Sequence, residues 1–336
     1  MTQPSGTVLV IGATGAQGGA TARHLLARGF RVQFLTRDPE SAAARALEAA
    51  GAYAFKGDLD DTHSLVVALQ GVNAVFSVQL PSVKGEDSER RHGFALINAS
   101  RAAGVAQFVH TSVAQSGNHT SFPGWNRNRW STRYWTDKWD VENAVRNAGF
   151  ANWTVLRPAF MMDNLALPKA TSMFPHLQTG ELLSALLPQT KLHFVAADDV
   201  GTFAAASMVD PLRFHEQTIP LASEAPTMSQ VAATLSAVLR TSIKAVHVGP
   251  QEAIARGLFP AWVNAQEWIN EVGYFVDIDK VASYGLPLTS LREWAQKHHN
   301  RLPTNNTPLH EYLDETGQKS WSAEPPTPRF VSKANQ

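Results

Sequence analysis

Four apolar residues, Val8-Leu9-Val10-Ile11, run directly into Gly12-Ala13-Thr14-Gly15-Ala16-Gln17-Gly18-Gly19, and Ala20, Ala22, Leu25 and Leu26 then begin a helical pattern. A short apolar run bounded by a turn signal reads as a buried strand. Strand, Gly-x-x-Gly-x-x-Gly and helix in immediate succession is the setting in which glycines read as a dinucleotide-binding turn. Each glycine has its own task. Gly12 permits the tight turn out of the strand, Gly15 lets the backbone approach a pyrophosphate, and Gly18 lets the helix pack close to the strand. The helix N-terminus adds N–H donors and the positive end of its dipole. Thr14, Ala16 and Gln17 belong to the same turn and are expected to line the same ligand. The bland alternative is an ordinary strand–turn–helix corner.

The first half of the chain repeats the alternation. Strand patterns at 7–11, 31–36, 52–55, 74–78, 107–111 and 153–157 are separated by helical patterns at 39–50, 62–69, 89–103 and 131–147, and Gly29, Gly71, Gly104 and Gly149 stand where helices would stop. Strict alternation implies a parallel sheet covered on both faces, an α/β Rossmann-type doubly wound fold. Its ligand is expected beyond the carboxyl ends of the strands. The expected organisation is a nucleotide-binding domain over 1–157, its sheet completed by 190–222, and a smaller, mostly helical substrate lobe from 158–189 and 223–300. Within these, 192–196 and 218–221 read as strands. Asp198-Asp199-Val200 would cap a helix running through Met208, and 227–239, 250–257, 260–272 and 288–298 read as helices. Residues 301–336 are polar and proline-rich and read as an extended tail.

Composition narrows the function classes. Lys+Arg and Asp+Glu number 29 each, so no basic excess points to nucleic acid. Cysteine is absent, which removes disulfides and Cys-ligated metals. The histidines show no metal-ligand spacing, and adjacent His298 and His299 cannot share a helix face. No signal-peptide pattern precedes the first strand and no apolar run reaches membrane-spanning length, so a cytoplasmic protein without membrane contact is expected.

Two further stretches carry chemistry. The second strand ends in Leu35-Thr36-Arg37-Asp38. An acidic residue there would take the ribose 2′-OH of NAD, whereas Arg37 can fork onto a 2′-phosphate, which points to NADP(H). A solvated loop arginine beside Asp38 is the alternative. Asp58, after the third strand, is placed to meet an adenine edge with Leu59 lining the ring, unless residues 58–61 serve only to cap a helix. Tyr134 and Lys138 form Tyr-x-x-x-Lys, which on a helix sets both side chains on one face. A phenol beside an ammonium is expected to have a lowered pKa and to act as a proton donor, with the lysine also holding ribose hydroxyls. An amphipathic surface helix explains the same spacing.

Taken together, Gly-Ala-Thr-Gly-Ala-Gln-Gly-Gly, Thr36-Arg37-Asp38-Pro39, Gly57-Asp58-Leu59, residues Leu156-Arg157-Pro158-Ala159-Phe160-Met161-Met162-Asp163-Asn164 and the ending Tyr284-Gly285-Leu286-Pro287-Leu288-Thr289-Ser290-Leu291-Arg292-Glu293-Trp294 resemble the NmrA-like group of atypical short-chain dehydrogenases/reductases. The resemblance implies either an NADPH-dependent reductase of quinones, dyes or phenylpropanoid-type compounds, or an NADP(H)-sensing regulator that acts through a protein partner. Retention of both Tyr134 and Lys138 departs from the sensor pattern. The resemblance also implies that Gln79, Leu80 and Pro81 line the cofactor and that Met162, Asp163 and Asn164 close over its nicotinamide end. It makes Ser112 the third catalytic member; the alternatives are that the usual serine position falls on Val113 and that the Ser112 hydroxyl only satisfies a strand end.

Residues 122–139 hold Trp125, Trp130, Trp135 and Trp139 with Arg127, Arg129 and Arg133 between them. This segment reads as a pocket wall for an aromatic substrate or as packing or a subunit contact, and less well as a nucleic-acid stacking surface. The expected partner is thus a small aromatic or quinone-like molecule, and a homodimer is compatible with the sequence.

Overall fold

Residues 6–82, 86–304, 310–313 and 319–322 are described by a computed structural model. The alternation is realised as β1 (Thr7–Val10), α1 (Ala16–Ala27), β2 (Arg31–Thr36), α2 (Ala42–Ala49), β3 (Tyr53–Lys56), α3 (Thr62–Ala68), β4 (Ala74–Ser77), α4 (Ser88–Ala102), β5 (Gln107–Thr111), α5 (Thr132–Asn147) and β6 (Asn152–Pro158). There follow β7 (Phe160–Met161), α6 (Ala170–Met173), β8 (Glu181–Ser184), β9 (Phe194–Val195), α7 (Ala197–Val209), α8 (Pro211–Phe214) and β10 (Gln217–Leu221). The remainder is α9 (Met228–Leu239), β11 (Lys244–His247), α10 (Pro250–Ala255), α11 (Pro260–Glu271), α12 (Ile278–Ala282), α13 (Leu291–Lys297), β12 (His310–Leu313) and β13 (Lys319–Ser322).

The main sheet has seven strands in the order β10-β6-β5-β4-β1-β2-β3, and every neighbouring pair is parallel. The order reverses between β1 and β4, and ligands of such sheets bind at that crevice. Successive residues of a strand face opposite ways. Val8 and Val10 therefore enter one core with Phe34 and Phe76, covered by Leu25, Leu47 and Phe203 of α1, α2 and α7. Leu9, with Val75, Phe108 and Val155, enters the other core, covered by Leu65, Leu96 and Val141 of α3, α4 and α5. All residues of β1, β4 and β5 are buried, the polar Thr7, Ser77, Gln107, His110 and Thr111 among them.

The chain divides into two compact units. The first comprises 1–161, 192–225 and 271–290. The segment 271–290 falls in this unit rather than in the substrate lobe to which the sequence pattern assigns it. It is tied down by Asp199, whose carboxylate accepts from the Thr289 N–H at 3.1 Å and hydroxyl at 2.6 Å. The N-cap of α7 is Ala196, and Asp199 in the first turn accepts from the Ala196 backbone as well as making this long-range tie, while Asp198 reaches His24 at 3.2 Å.

The second unit comprises 162–191, 226–270 and 291–336. Its core includes Leu182, Leu183, Leu235, Trp262, Trp268 and Trp294. It contains a parallel pair, β8 and β11, which the four-residue runs in the sequence do not announce. Asn270 donates to the Ala185 carbonyl and accepts from the Leu187 N–H, both at 2.9 Å, tying the chain after β8 to α11. A capping box of Thr227 and Gln230 opens α9. The stretch read as an extended tail includes an antiparallel hairpin, β12 with β13, and its other residues beyond 304 lie outside those described. Among the described residues no helix is long and apolar enough to cross a membrane.

Candidate cofactor and catalytic site

The glycine turn lies at the carboxyl end of β1, at the point of strand reversal. Gly12 has φ +66°, the left-handed region that favours glycine. A Cβ on Gly18 would lie 2.3 Å from the Gly12 carbonyl oxygen, so any side chain there would push α1 off the turn. Gly12, Thr14 and Gly15 are exposed, and the N-cap of α1, Gly15, has no side-chain capping bond. Exposed backbone and a helix start that no side chain of its own satisfies are what an incoming pyrophosphate requires. The residues present therefore fit a dinucleotide. Gln17 points elsewhere with its amide oxygen, which accepts from the Thr111 hydroxyl at 2.7 Å and links α1 to the end of β5.

Arg37 is exposed at the end of β2. Asp58 is half-buried after β3, and its carboxylate accepts from the Asp60 N–H at 2.9 Å. The cap of α3 is Asp61, bonded to the His63 N–H at 3.0 Å, so Asp58 is not consumed as a cap. Leu59 packs against the core on that side. Asp58, Asp60 and His92 bring ligand-type atoms within 4.8 Å of one another, but Asp60 is paired with Arg91 and reaches His92 at 3.0 Å, so the cluster neutralises itself. After β4, Leu80 is 80% exposed, whereas Gln79 is buried. Gln79 donates to Ser77 Oγ at 2.9 Å, and Ser77 Oγ lies 3.2 Å from His110 Nδ1. Burial pushes His110 down to about 4, so this chain of polar groups at the strand ends is uncharged near neutrality.

Tyr134 and Lys138 stand one turn apart near the start of α5, with the Lys138 Nζ 5.0 Å from the Tyr134 ring centroid. Lys138 is buried and donates to Glu89 Oε1 at 2.6 Å. The expected lowering of the tyrosine pKa is corrected by this arrangement. Burial pushes the Tyr134 hydroxyl well above the usual phenol range, and the Glu89 carboxylate adds to the rise. The ammonium that was to stabilise a phenolate is already facing a carboxylate. Glu89 itself sits at the first turn of α4. Sequence reasoning missed it because an acidic residue at a helix start has an ordinary explanation in the helix dipole.

Ser112 is buried just beyond β5, and its N–H donates to the Leu156 carbonyl at 2.8 Å. Among the described residues its hydroxyl is buried without a hydrogen-bond partner, as is that of Ser116. Arg157 forks onto the fully buried Glu142 at 2.7 and 3.0 Å, and Arg146 reaches it at 2.6 Å.

The aromatic segment is largely packing. Phe122, Trp130 and Trp135 are buried, Phe122 meets Trp135 edge-on at 5.0 Å, and the Trp130 indole donates to the Pro123 carbonyl at 2.8 Å. Arg129 lies over Trp130 at 4.4 Å, and Arg146 lies over Trp139 at 5.0 Å. Met162, Asp163 and Asn164 belong to the second unit, where Met162 and Asp163 are buried and Asn164 accepts from Lys169 at 3.3 Å.

A Rossmann-type sheet with an open glycine turn at its switch point defines a dinucleotide-binding fold. The chain belongs to the NmrA-like family, whose model matches residues 4–302. It is 31% identical over 234 residues to the NmrA-like family domain-containing oxidoreductase malD of Malbranchea aurantiaca, covering 65% of this chain and 68% of that protein. It is 29% identical over 249 residues to an NAD(P)H azoreductase of Xenophilus azovorans, covering 73% and 78%. Among solved structures, the NADPH-dependent quinone oxidoreductase QOR2 of Escherichia coli aligns with TM-score 0.69 at 21% identity, over 86% of this chain and 99% of that one. The triphenylmethane reductase of Citrobacter sp. aligns at 0.70 and 19%, over 87% and 99%. NmrA, a negative transcriptional regulator solved with NAD, aligns at 0.69 and 19%, over 88% and 95%. These likenesses show the shared fold.

Proposed function

We propose that this chain is an NADP(H)-dependent reductase that delivers hydride to an aromatic carbonyl, enone or quinone-type substrate. The observation that carries this reading is the Tyr134–Lys138 pair on α5, in a fold whose glycine turn is open for a pyrophosphate. Relatives named as oxidoreductases, including the azoreductase, support the reaction class. Neighbours that reduce quinones and triphenylmethane dyes support an aromatic substrate.

Bound NADPH would supply a hydride, two electrons and a proton, to an electrophilic carbon. Gly12, Thr14, Gly15, Ala16, Gln17 and Gly18 would hold the pyrophosphate on backbone N–H groups, and Arg37 the 2′-phosphate. Asp58, Leu59, Gln79 and Leu80 would flank the adenosine half. Tyr134 would pass its hydroxyl proton to the substrate oxygen as that oxygen gains charge, and solvent would restore the proton. Lys138 would bind ribose hydroxyls. A phenol that stays protonated near neutrality holds the proton that the reductive direction consumes.

The test is loss of reduced-nicotinamide absorbance across a panel of quinones, azo dyes and aromatic ketones. NADPH should be consumed with at least one of them, and Tyr134→Phe should lower kcat about 100-fold while leaving NADPH binding unchanged. Tight NADPH binding with no consumption across the panel would instead indicate a cofactor-sensing regulator.

A further inference from the structure

Helices α4 and α5 approach closely because Gly93 presents no side chain. A Cβ there would lie 2.6 Å from a Val141 methyl. Gly93 is one turn beyond Glu89, and Val141 is nearly one turn beyond Lys138, so the same contact brings those two charged side chains into register. Their side chains are 5% and 8% exposed, and the ion pair is 2.6 Å long. Among the described residues Glu89 Oε2 is buried without a hydrogen-bond partner, so there the carboxylate bonds no side chain but Lys138. The backbone of Glu89 is fixed as well. Its N–H donates to Ser82 Oγ at 3.0 Å, and Ser82 donates in turn to Asp137 Oδ2 at 3.0 Å. Two anchors, one on each helix, therefore lock the pair in place.

We propose that Glu89 is a positioning residue: it engages the Lys138 ammonium and so sets Tyr134 to give protons rather than to accept them. In an arrangement with the lysine facing only the phenol, the positive charge would stabilise a phenolate and make it a base for alcohol oxidation. Here a buried carboxylate offsets that charge at hydrogen-bond distance, and the ammonium lies over the ring face. Among the described residues, the other charged and titratable groups around the pair do not restore the balance. Asp137 beside it on α5 is negative, His110 on β5 is held neutral by burial, and Tyr274 in the 271–290 segment is itself pushed up by burial and by Tyr134. Arg90 is paired with Asp140 at 3.2 Å, Arg133 donates to the Glu86 carbonyl, and Arg146 and Arg157 are committed to Glu142. Burial pushes Glu89 up while Lys138 pulls it back, consistent with each serving as the other's counter-charge. The inference rests on Tyr134 being the proton donor of the proposed reduction.

The experiment is an alkaline titration of phenolate absorbance in the full-length protein without cofactor, with the Tyr134→Phe spectrum subtracted. In the wild type, Tyr134 should ionise above the ordinary phenol value of about 10. Glu89→Gln should raise its acid constant at least about tenfold, and Glu89→Asp, which keeps the carboxylate, should stay close to wild type. The alkaline limb of the pH–rate profile for NADPH-dependent reduction should move down in parallel in Glu89→Gln. An unmoved Tyr134 ionisation in folded Glu89→Gln would overturn the proposal. So would a wild-type Tyr134 that ionises below about 10, even if Glu89→Gln does not fold. The titration needs no turnover, so an absence of NADPH consumption would count against the proposed reductase and leave this result standing.

Discussion

The glycine turn after β1 and the Tyr134 corner on α5 are two halves of one candidate site, yet they are built by different physics. The turn is local. Its shape follows from backbone that only glycine permits, Gly12 at φ +66° and Gly18 with no room for a Cβ. The corner is long-range. Glu89 and Lys138 are 49 residues apart, and their partnership depends on two helices approaching across Gly93 and Val141. A ligand site of the first kind is visible in a dozen consecutive residues. The electrostatics of the second kind emerge only once the sheet has placed its helices.

That contrast can be broken at either end. The largest effect on cofactor binding is expected at Gly18→Ala, where the added methyl must displace backbone rather than a flexible side chain. NADPH affinity should fall at least about 100-fold, roughly 3 kcal/mol, as measured by quenching of tryptophan fluorescence. Retention of wild-type affinity would mean that the turn does not hold the pyrophosphate.

At the corner, Lys138→Met leaves a buried carboxylate without its counter-charge. The loss in folding stability should be about 3–5 kcal/mol in urea denaturation above neutral pH. It should shrink in acid, where Glu89 can take up a proton. Adding Glu89→Gln should return most of the loss, because the paired charges are then both gone. If the double variant is no more stable than Lys138→Met alone, the pair is not coupled as the geometry shows.

A smaller effect separates two buried groups elsewhere in the same unit. Burial pushes Asp199 up to about 6, so its contribution to stability is present in acid and lost as pH rises through that value. His110 has the opposite sign. Its contribution is present above about pH 6.5 and lost as pH falls through about 4, because the unfolded chain takes up the proton first. The two slopes oppose each other between about pH 4 and 6.5. Asp199→Asn removes one of them, so the stability of this variant should climb with pH more steeply than wild type by about 2–3 kcal/mol over that range. Parallel pH curves for the two proteins would contradict this assignment.

The smallest effect is at Arg37→Ser. The side chain is exposed, so stability should be unchanged. The preference for NADPH over NADH should fall about tenfold, from the loss of one charge-assisted phosphate contact. Equal ratios of the two dissociation constants before and after the substitution would remove Arg37 from the 2′-phosphate.

The sheet was legible in the sequence because its strands keep apolar residues at their centres and alternate with helical patterns stopped by glycine. The strand read at 31–36 is β2 to the residue, and 107–111 is β5. The positions of Tyr134 and Lys138 on one helix face were legible for the same reason, helical periodicity. The ionisation of Tyr134 was not, because no spacing rule connects Glu89 to Lys138. Asp199 reads as a cap in sequence and is also a long-range anchor for Thr289, 90 residues away. The tryptophans of 122–139 read equally as pocket wall and as packing, because composition does not distinguish a ring lining a cavity from one packed against Arg129 or Phe122. The β8–β11 pair was hidden because four residues of Glu-Leu-Leu-Ser or Lys-Ala-Val-His carry too little pattern to separate strand from helix.

The proposed reductase requires that the bound nicotinamide react rather than merely report. NADPH deuterated at the transferring C4 position, with the best substrate of the quinone, azo dye and ketone panel, separates the two. NADP⁺ and reduced substrate should form in equal amounts, with a primary isotope effect on hydride transfer in a single turnover. Bound NADPH that stays fully reduced, or is consumed with no isotope effect in that single turnover, would contradict the proposed reductase.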